Sequence, residues 1–328
     1  MALELAPARL LELEYAGDYR MQSKRTGAPS ELCGIISDPG GHLNFAAVNQ
    51  FLEGQEWWDG CSKVNLRVIT VSKRSGAFAR DDDALYYARN FGLGGPDCDL
   101  LDVNKLRLLH NRRFPKLREI LTDRVVAAVC QLHGSAVDEY MCHEAGHRLG
   151  YSIEEKMAQD FFRWRGRLIW PLIYMEEYRA DVNSWHAAMS LLNSANAASV
   201  ILYTLFHRLG LALENLREKR PGAGFIPYLH FSAFCEVGFL KVVVNNGCCP
   251  LLDFDPSPTN VLDAASSILR QLEKRVGIID ACRKAEDAAE TLLQYAADRL
   301  SCVESAELFT SVLQSPPEER DSETRNLA

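Results

Sequence analysis

The stretch "YMCHEAGHRLGYS", residues 140–152, holds two histidines four positions apart with a glutamate directly after the first. On a helix, positions i and i+4 are neighbours on one face, so His143 and His147 can grip one metal ion between their imidazoles. Glu144 then projects beside the metal position, where it can take a proton from a zinc-bound water. Val137, Met141, Ala145 and Leu149 recur every fourth position and predict the face that anchors this helix in a core. Gly146 leaves room for a substrate or a backbone close to the metal. HExxH has only three fixed letters, so what surrounds and follows it decides its meaning.

Ser135 followed by Asp138 predicts a capping box at the start of this helix, and Gly150 predicts its C-cap. Ser152 with Glu155 repeats the capping signature. It predicts a second helix with Ile153, Met157, Phe161 and Trp164 on its apolar face, ended or kinked by Pro171. A further helix is predicted from about Leu172 to Leu192.

A catalytic zinc needs a third protein ligand and an open position. Thirty positions after His147 stands Glu177, in "MEEYRADVNSW", with Asp181 four further on along the same predicted helix face. This combination of HExxH and a downstream ExxxD resembles the gluzincins, the thermolysin-like zinc peptidases. "EEYRAD" is also similar to the EECRAE segment of the dipeptidyl peptidase III family. The resemblance covers two motifs, residues 140–150 and 176–181. It implies that Glu177 completes the metal site and that Asp181 hydrogen-bonds a ligand histidine, fixing its tautomer. The sequence departs from that family in its first motif, HEAGH, where the family has a six-residue HExxGH. The site logic carries over; the family's substrate does not.

Composition narrows the setting. Of 328 residues, 47% are hydrophobic and 24% charged, as in an ordinary globular protein, and the net charge of −8 argues against nucleic acid as a partner. The ten cysteines include no CxxC pair, and several sit in apolar helical patterns, which points to a reducing, cytoplasmic setting. The N-terminal residues have no signal-peptide pattern, and no apolar run is long enough to span a membrane. The most apolar window, Ala197 to Leu213, carries His207 and Arg208 inside it and reads as a buried helix.

The chain changes character near residue 104. Residues 1–104 are expected to form an α+β portion: Val64 to Val71 alternates as a strand does, and "DPGG" and "FGLGGPD" are turn chemistry. Residues 105–314 are expected to form a mainly helical, zincin-like catalytic portion, with a strand at "LKVVV" beside the turn "NNG". Residues 315–328 read as a disordered tail. The fold class is therefore α+β, predominantly α-helical, with the metal site on two helices.

Several other residues invite chemistry. His230, 53 positions after Glu177, is the candidate by chain order for stabilising an oxyanion, with Tyr228 as the alternative; residues so placed more often pack than catalyse. His186 falls on the opposite side of its helix from Glu177, and His207 reads as a core histidine. Arg179 can bind a carboxylate or pair with Glu176. Asp81 to Asp83 read as a solvated helix start, and Trp57–Trp58 as a pocket wall or packing.

The reading that joins these residues is a zinc-dependent hydrolase, most simply a metallopeptidase. His143, His147 and Glu177 hold one Zn2+ per chain, and Glu144 activates the zinc-bound water to attack an amide carbonyl of a peptide or a small amide-containing substrate. Two alternatives stay open. One is a zincin-like deacylase or lyase acting on a small metabolite. The other is a non-enzymatic helical regulatory protein with a structural or fortuitous HExxH.

Overall fold

The computed structural model describes residues 10–15, 30–36, 41–56, 58, 63–75, 84–86, 98–130, 132–151, 155–156, 158, 161–164, 167–168, 170–217, 225–244 and 250–283. The Asp81–Asp83 run, "FGLGGPD", the "NNG" turn, Trp57, Ser152, Ile153, Met157 and the 315–328 tail lie outside them. The fold is α+β and predominantly helical. It divides into two compact units, one of residues 1–40 with 64–111, the other of residues 41–63 with 112–328.

The first unit is built on a five-stranded sheet. Its strands are β1 (Leu10–Tyr15), β2 (Ser30–Ile36), β3 (Leu66–Arg74), β4 (Leu85–Tyr86) and β5 (Asp99–Asp102), in the order β1-β2-β3-β5-β4. Only β3 and β5 run parallel, pairing Leu66 with Asp99 through Ile69 with Asp102. The alternation seen at Val64–Val71 becomes β3, which puts Leu66 and Val68 inward while Arg67 faces solvent. Ile69, Leu32, Tyr86, Cys98 and Leu100 form its buried cluster. Asp102 ends the sheet and starts the next helix, its Oδ1 accepting from the amides of Asn104 (3.0 Å) and Lys105 (3.3 Å).

The second unit carries the helices. A short one, α1 (Phe45–Glu53), is capped by Asn44, whose Oδ1 accepts from the amide of Ala47 at 2.9 Å. After α2 (Val103–Arg113), of which residues 103–111 belong to the first unit, come α3 (Asp123–Val129) and α4 (Ala136–His147). A two-strand hairpin, β6 (Arg163–Trp164) with β7 (Arg167–Leu168), leads into α5 (Trp170–Leu191). Then follow α6 (Ser194–Arg217), α7 (Phe225–Glu236), the antiparallel pair β8 (Lys241–Val244) and β9 (Pro250–Asp253), and α8 (Pro258–Arg283). Helices α5 to α8 pack together over a core that includes Trp185, Tyr203, Phe206, Phe231, Phe234 and Phe254, each with essentially no exposed surface. Among the described residues no helix is long and apolar enough to cross a membrane.

Four local expectations change. Ser135 makes no capping bond; Asp138 instead accepts from the amides of His42 (2.8 Å) and Leu43 (3.0 Å) and from Nδ1 of His42 (2.9 Å). A buried carboxylate meets two otherwise unpaired loop amides there, which is worth more than a cap on its own helix. The helix ends at Arg148 rather than Gly150, and Gly150 supplies a positive φ of 101° two residues later. Trp164 lies on a strand and not on a helix face, because β6 pairs with β7 through Trp164 and Arg167. Pro171 starts α5 instead of ending a helix, because its missing N–H costs nothing in a first turn.

Candidate metal centre

The site is made where α4 lies against α5, the most extensive helix–helix packing in the second unit. Val137, Met141, Ala145 and Leu149 are buried as their spacing requires. Close approach is possible because position 146 has no side chain. A Cβ there would run into the carbonyl oxygen of Ala180 and stand 3.1 Å from the amide nitrogen of Ser184. The space opposite Gly146 is thus filled by the backbone of α5, and this brings Glu177 and Asp181 level with the two histidines.

His143 and His147 present their Nε2 atoms to each other at 3.1 Å, with the rings nearly perpendicular. One oxygen of Glu177 lies 3.4 Å from Nε2 of His143, and the other lies 3.7 Å from Nε2 of His147. Donor atoms of all three residues fall within 4.8 Å of one another. The opposite edge of each ring is held by a carboxylate. Nδ1 of His143 is 2.7 Å from Asp181, and Nδ1 of His147 is 3.4 Å from Glu176. Each Nδ1 is therefore a donor and each Nε2 of a neutral ring carries a lone pair. Two lone pairs and a carboxylate pointing into one space repel unless a cation stands among them. Two imidazoles and one carboxylate, with their tautomers set from behind, suit zinc.

The electrostatics show the same pull of the carboxylates for positive charge, which a proton can supply and a ligating metal must displace. Burial would suppress charge on His143, but its contacts with Asp181 and Glu177 outweigh burial and hold its pKa well above the usual histidine range. Burial pushes the other way on Glu177, yet the facing histidines and Arg208 bring it down to about 2. Asp181 and Glu176 lie well below the carboxylate range because Arg208 and Arg179 respectively overcome their burial.

Glu144 sits between the two histidines in sequence and is 6% exposed. Its Oε2 accepts from Nη1 of Arg148 at 3.2 Å, one turn along the helix. Burial raises its pKa less than Arg148 and the histidines lower it, so it is held as a carboxylate.

No family model matches the chain, and no curated protein matches it in sequence. Among solved structures the chain is similar to the dipeptidyl peptidase III of Caldithrix abyssi, with a TM-score of 0.56 and 12% identity over 96% of this chain. The likeness is one of fold. The dipeptidyl peptidase III of Corallococcus sp. strain EGB aligns over 98% of this chain and 61% of its own, at 15% identity and a TM-score of 0.42. The chain spans 60% of the length of the Caldithrix protein.

The remaining candidates separate around this centre. His230 is fully enclosed: its Nε2 donates to Asp181 at 2.8 Å, and the rings of Tyr178 and Trp185 flank it. Expected from chain order as an oxyanion-stabilising group, it lies fully buried against Asp181. Tyr228 is buried on the same helix. His186 hydrogen-bonds Gln55 at 3.2 Å, away from the cluster, and His207 stacks on Tyr203 beside Arg113. Arg179 pairs with Glu176 in the interior, and Lys156 joins that pair at 3.0 Å.

Three residues of the site are not marked as such by the sequence. Glu176 offers only an i, i+3 pairing with Arg179, and Lys156 has no signal. Arg208 was visible solely as a charge interrupting an apolar helix, which in a buried helix is itself a sign of a partner.

Proposed function

We propose that the protein is a zinc-dependent hydrolase of metallopeptidase type, acting on a peptide or a small amide-containing substrate. The observation that carries this reading is the convergence of His143, His147 and Glu177, with Asp181 and Glu176 holding the far edges of the two imidazoles. The fold shared with a dipeptidyl peptidase III supports it by analogy of fold, while the site itself carries the functional argument.

Bound zinc would supply a Lewis acid that polarises the scissile carbonyl and acidifies water. His143, His147 and Glu177 would hold it, and Asp181 and Glu176 keep both imidazoles in the ligating tautomer. Glu144 takes the proton of the attacking water and returns it to the leaving nitrogen, and its ionised state fits it to begin as a base. His230 works through Asp181, as a positioning residue.

Metal analysis tests the first half of the reading. The purified protein is expected to carry about one zinc per chain, and changing His143 or Glu177 is expected to remove it. Stoichiometric zinc together with cleavage in a peptide library supports a peptidase, whereas zinc with no peptide cleaved turns the search to small amides. A chain that takes up no zinc overturns the proposal.

A further inference from the structure

Asp181 is the hub of the site, and its four hydrogen bonds come from three helices. Oδ1 accepts from Nδ1 of His143 at 2.7 Å and from Nη2 of Arg208 at 2.9 Å. Oδ2 accepts from Nε2 of His230 at 2.8 Å and from Nε of Arg208 at 2.7 Å. The carboxylate has no exposed surface. With four short bonds on two oxygens it has no acceptor capacity left over. Two of the four bonds come from imidazoles and the other two from Arg208, which alone brings a permanent charge. Without it, a buried anion would rest on two imidazoles alone, an arrangement whose desolvation cost favours protonating or displacing the carboxylate.

Arg208 does a second thing. The same Nη2 that bonds Asp181 lies 3.7 Å from Oε2 of Glu177. That oxygen is the one 3.4 Å from Nε2 of His143. One planar guanidinium on α6 therefore touches both carboxylates of the ExxxD pair on α5, one turn apart. An ammonium on a flexible stem has no such fork.

We infer that Arg208 is a positioning residue of the metal centre: it ties α6 to α5, sets the spacing of Glu177 and Asp181, and through Asp181 holds His143 in its ligating orientation. The inference rests on the zinc reading above. It also opposes the simplest electrostatic expectation, in which a cation so close to a metal weakens binding and its removal strengthens it. The geometry makes preorganisation the larger effect, because losing Arg208 releases two groups at once and leaves Asp181 buried with its charge unpaired.

Zinc affinity, measured by competition with a chromogenic chelator on the full chain, decides between these directions without a substrate. Arg208→Gln is expected to bind zinc roughly 10–100-fold more weakly than the unaltered protein, with Arg208→Lys in between. Arg124→Ser serves as the control, since Arg124 is an exposed partner of Asp253 and should leave affinity unchanged. Cobalt substitution adds a signature that a purely structural role would not move: the visible bands of the Arg208→Gln protein should shift in position as well as intensity. Should Arg208→Gln not fold, Arg208→Lys carries the test through the same two measurements. Equal or tighter zinc binding with unshifted cobalt bands overturns the inference while leaving the zinc reading in place. If the unaltered protein binds no zinc, the reading fails first and the inference falls with it.

Discussion

Gly146 and Ala180 meet backbone to backbone where α4 lies on α5, with no space for a single carbon between them. This contact sets the distance from which both motif helices project their ligands. Gly146→Ala is therefore expected to push the helices apart, costing about 1–3 kcal/mol of stability as overpacked cores do. Zinc binding should weaken in parallel. Denaturant unfolding of the metal-free protein reads the first effect and chelator competition the second; a variant as stable as its parent would show that α5 can yield.

Glu144 and Arg148 form a pair within one helical turn, and the pair predicts behaviour beyond the loss of the base. Glu144→Gln should keep zinc but lower turnover by about 10²–10⁴-fold. Arg148→Met should do something different. Removing the cation that offsets burial raises the Glu144 pKa, so the acid limb of the pH–rate profile should move to higher pH. An unmoved limb would mean that Glu144 is not the group titrating there.

Glu176 is set between two cations, Arg179 and Lys156, while its contact to His147 is long at 3.4 Å. Asp181 lies closer to His143, at 2.7 Å. Glu176→Gln should accordingly show itself mainly in stability, about 3–5 kcal/mol, because it strands the buried Arg179. Asp181→Asn should show itself mainly in metal binding. Paired unfolding and zinc titrations of both variants check the contrast, and a reversed order would contradict it.

Glu139 gives a pH dependence with a definite sign. Burial raises its carboxyl from an ordinary value near 4.5 to about 7, against the opposing charges of His143 and Arg208 and the hydrogen bond from Thr204. Between those two values the folded protein keeps a proton that the unfolded chain has lost, so this group makes stability fall as pH rises through the window. The full effect is on the order of 3 kcal/mol by pH 8. Glu139→Gln keeps an oxygen for the Thr204 hydroxyl and has no proton to lose. In metal-free protein its advantage over the parent should be small near pH 5 and grow towards pH 8; parallel stability curves would argue that Glu139 ionises normally.

Local geometry was legible in the residues alone. Helical period places His143 and His147 on one face, and Glu177 and Asp181 on another, because four residues make about one turn whatever surrounds them. The same rule predicted the buried face of α4, and the two-residue alternation of a strand predicted the one at Val64–Val71. Which turns face each other came from packing. Asp138 looked like half of a capping box and instead ties down the His42–Leu43 loop, so residues 41–63 belong with the helical unit though the strands on either side of them do not. His230 stood at a plausible chain distance from Glu177, and its position behind Asp181 depends on how α7 packs. Arg208 and Glu176 join the site across 27 and 29 residues of chain respectively. No periodicity encodes such pairings; they exist because burying one carboxylate makes the fold bring it a partner.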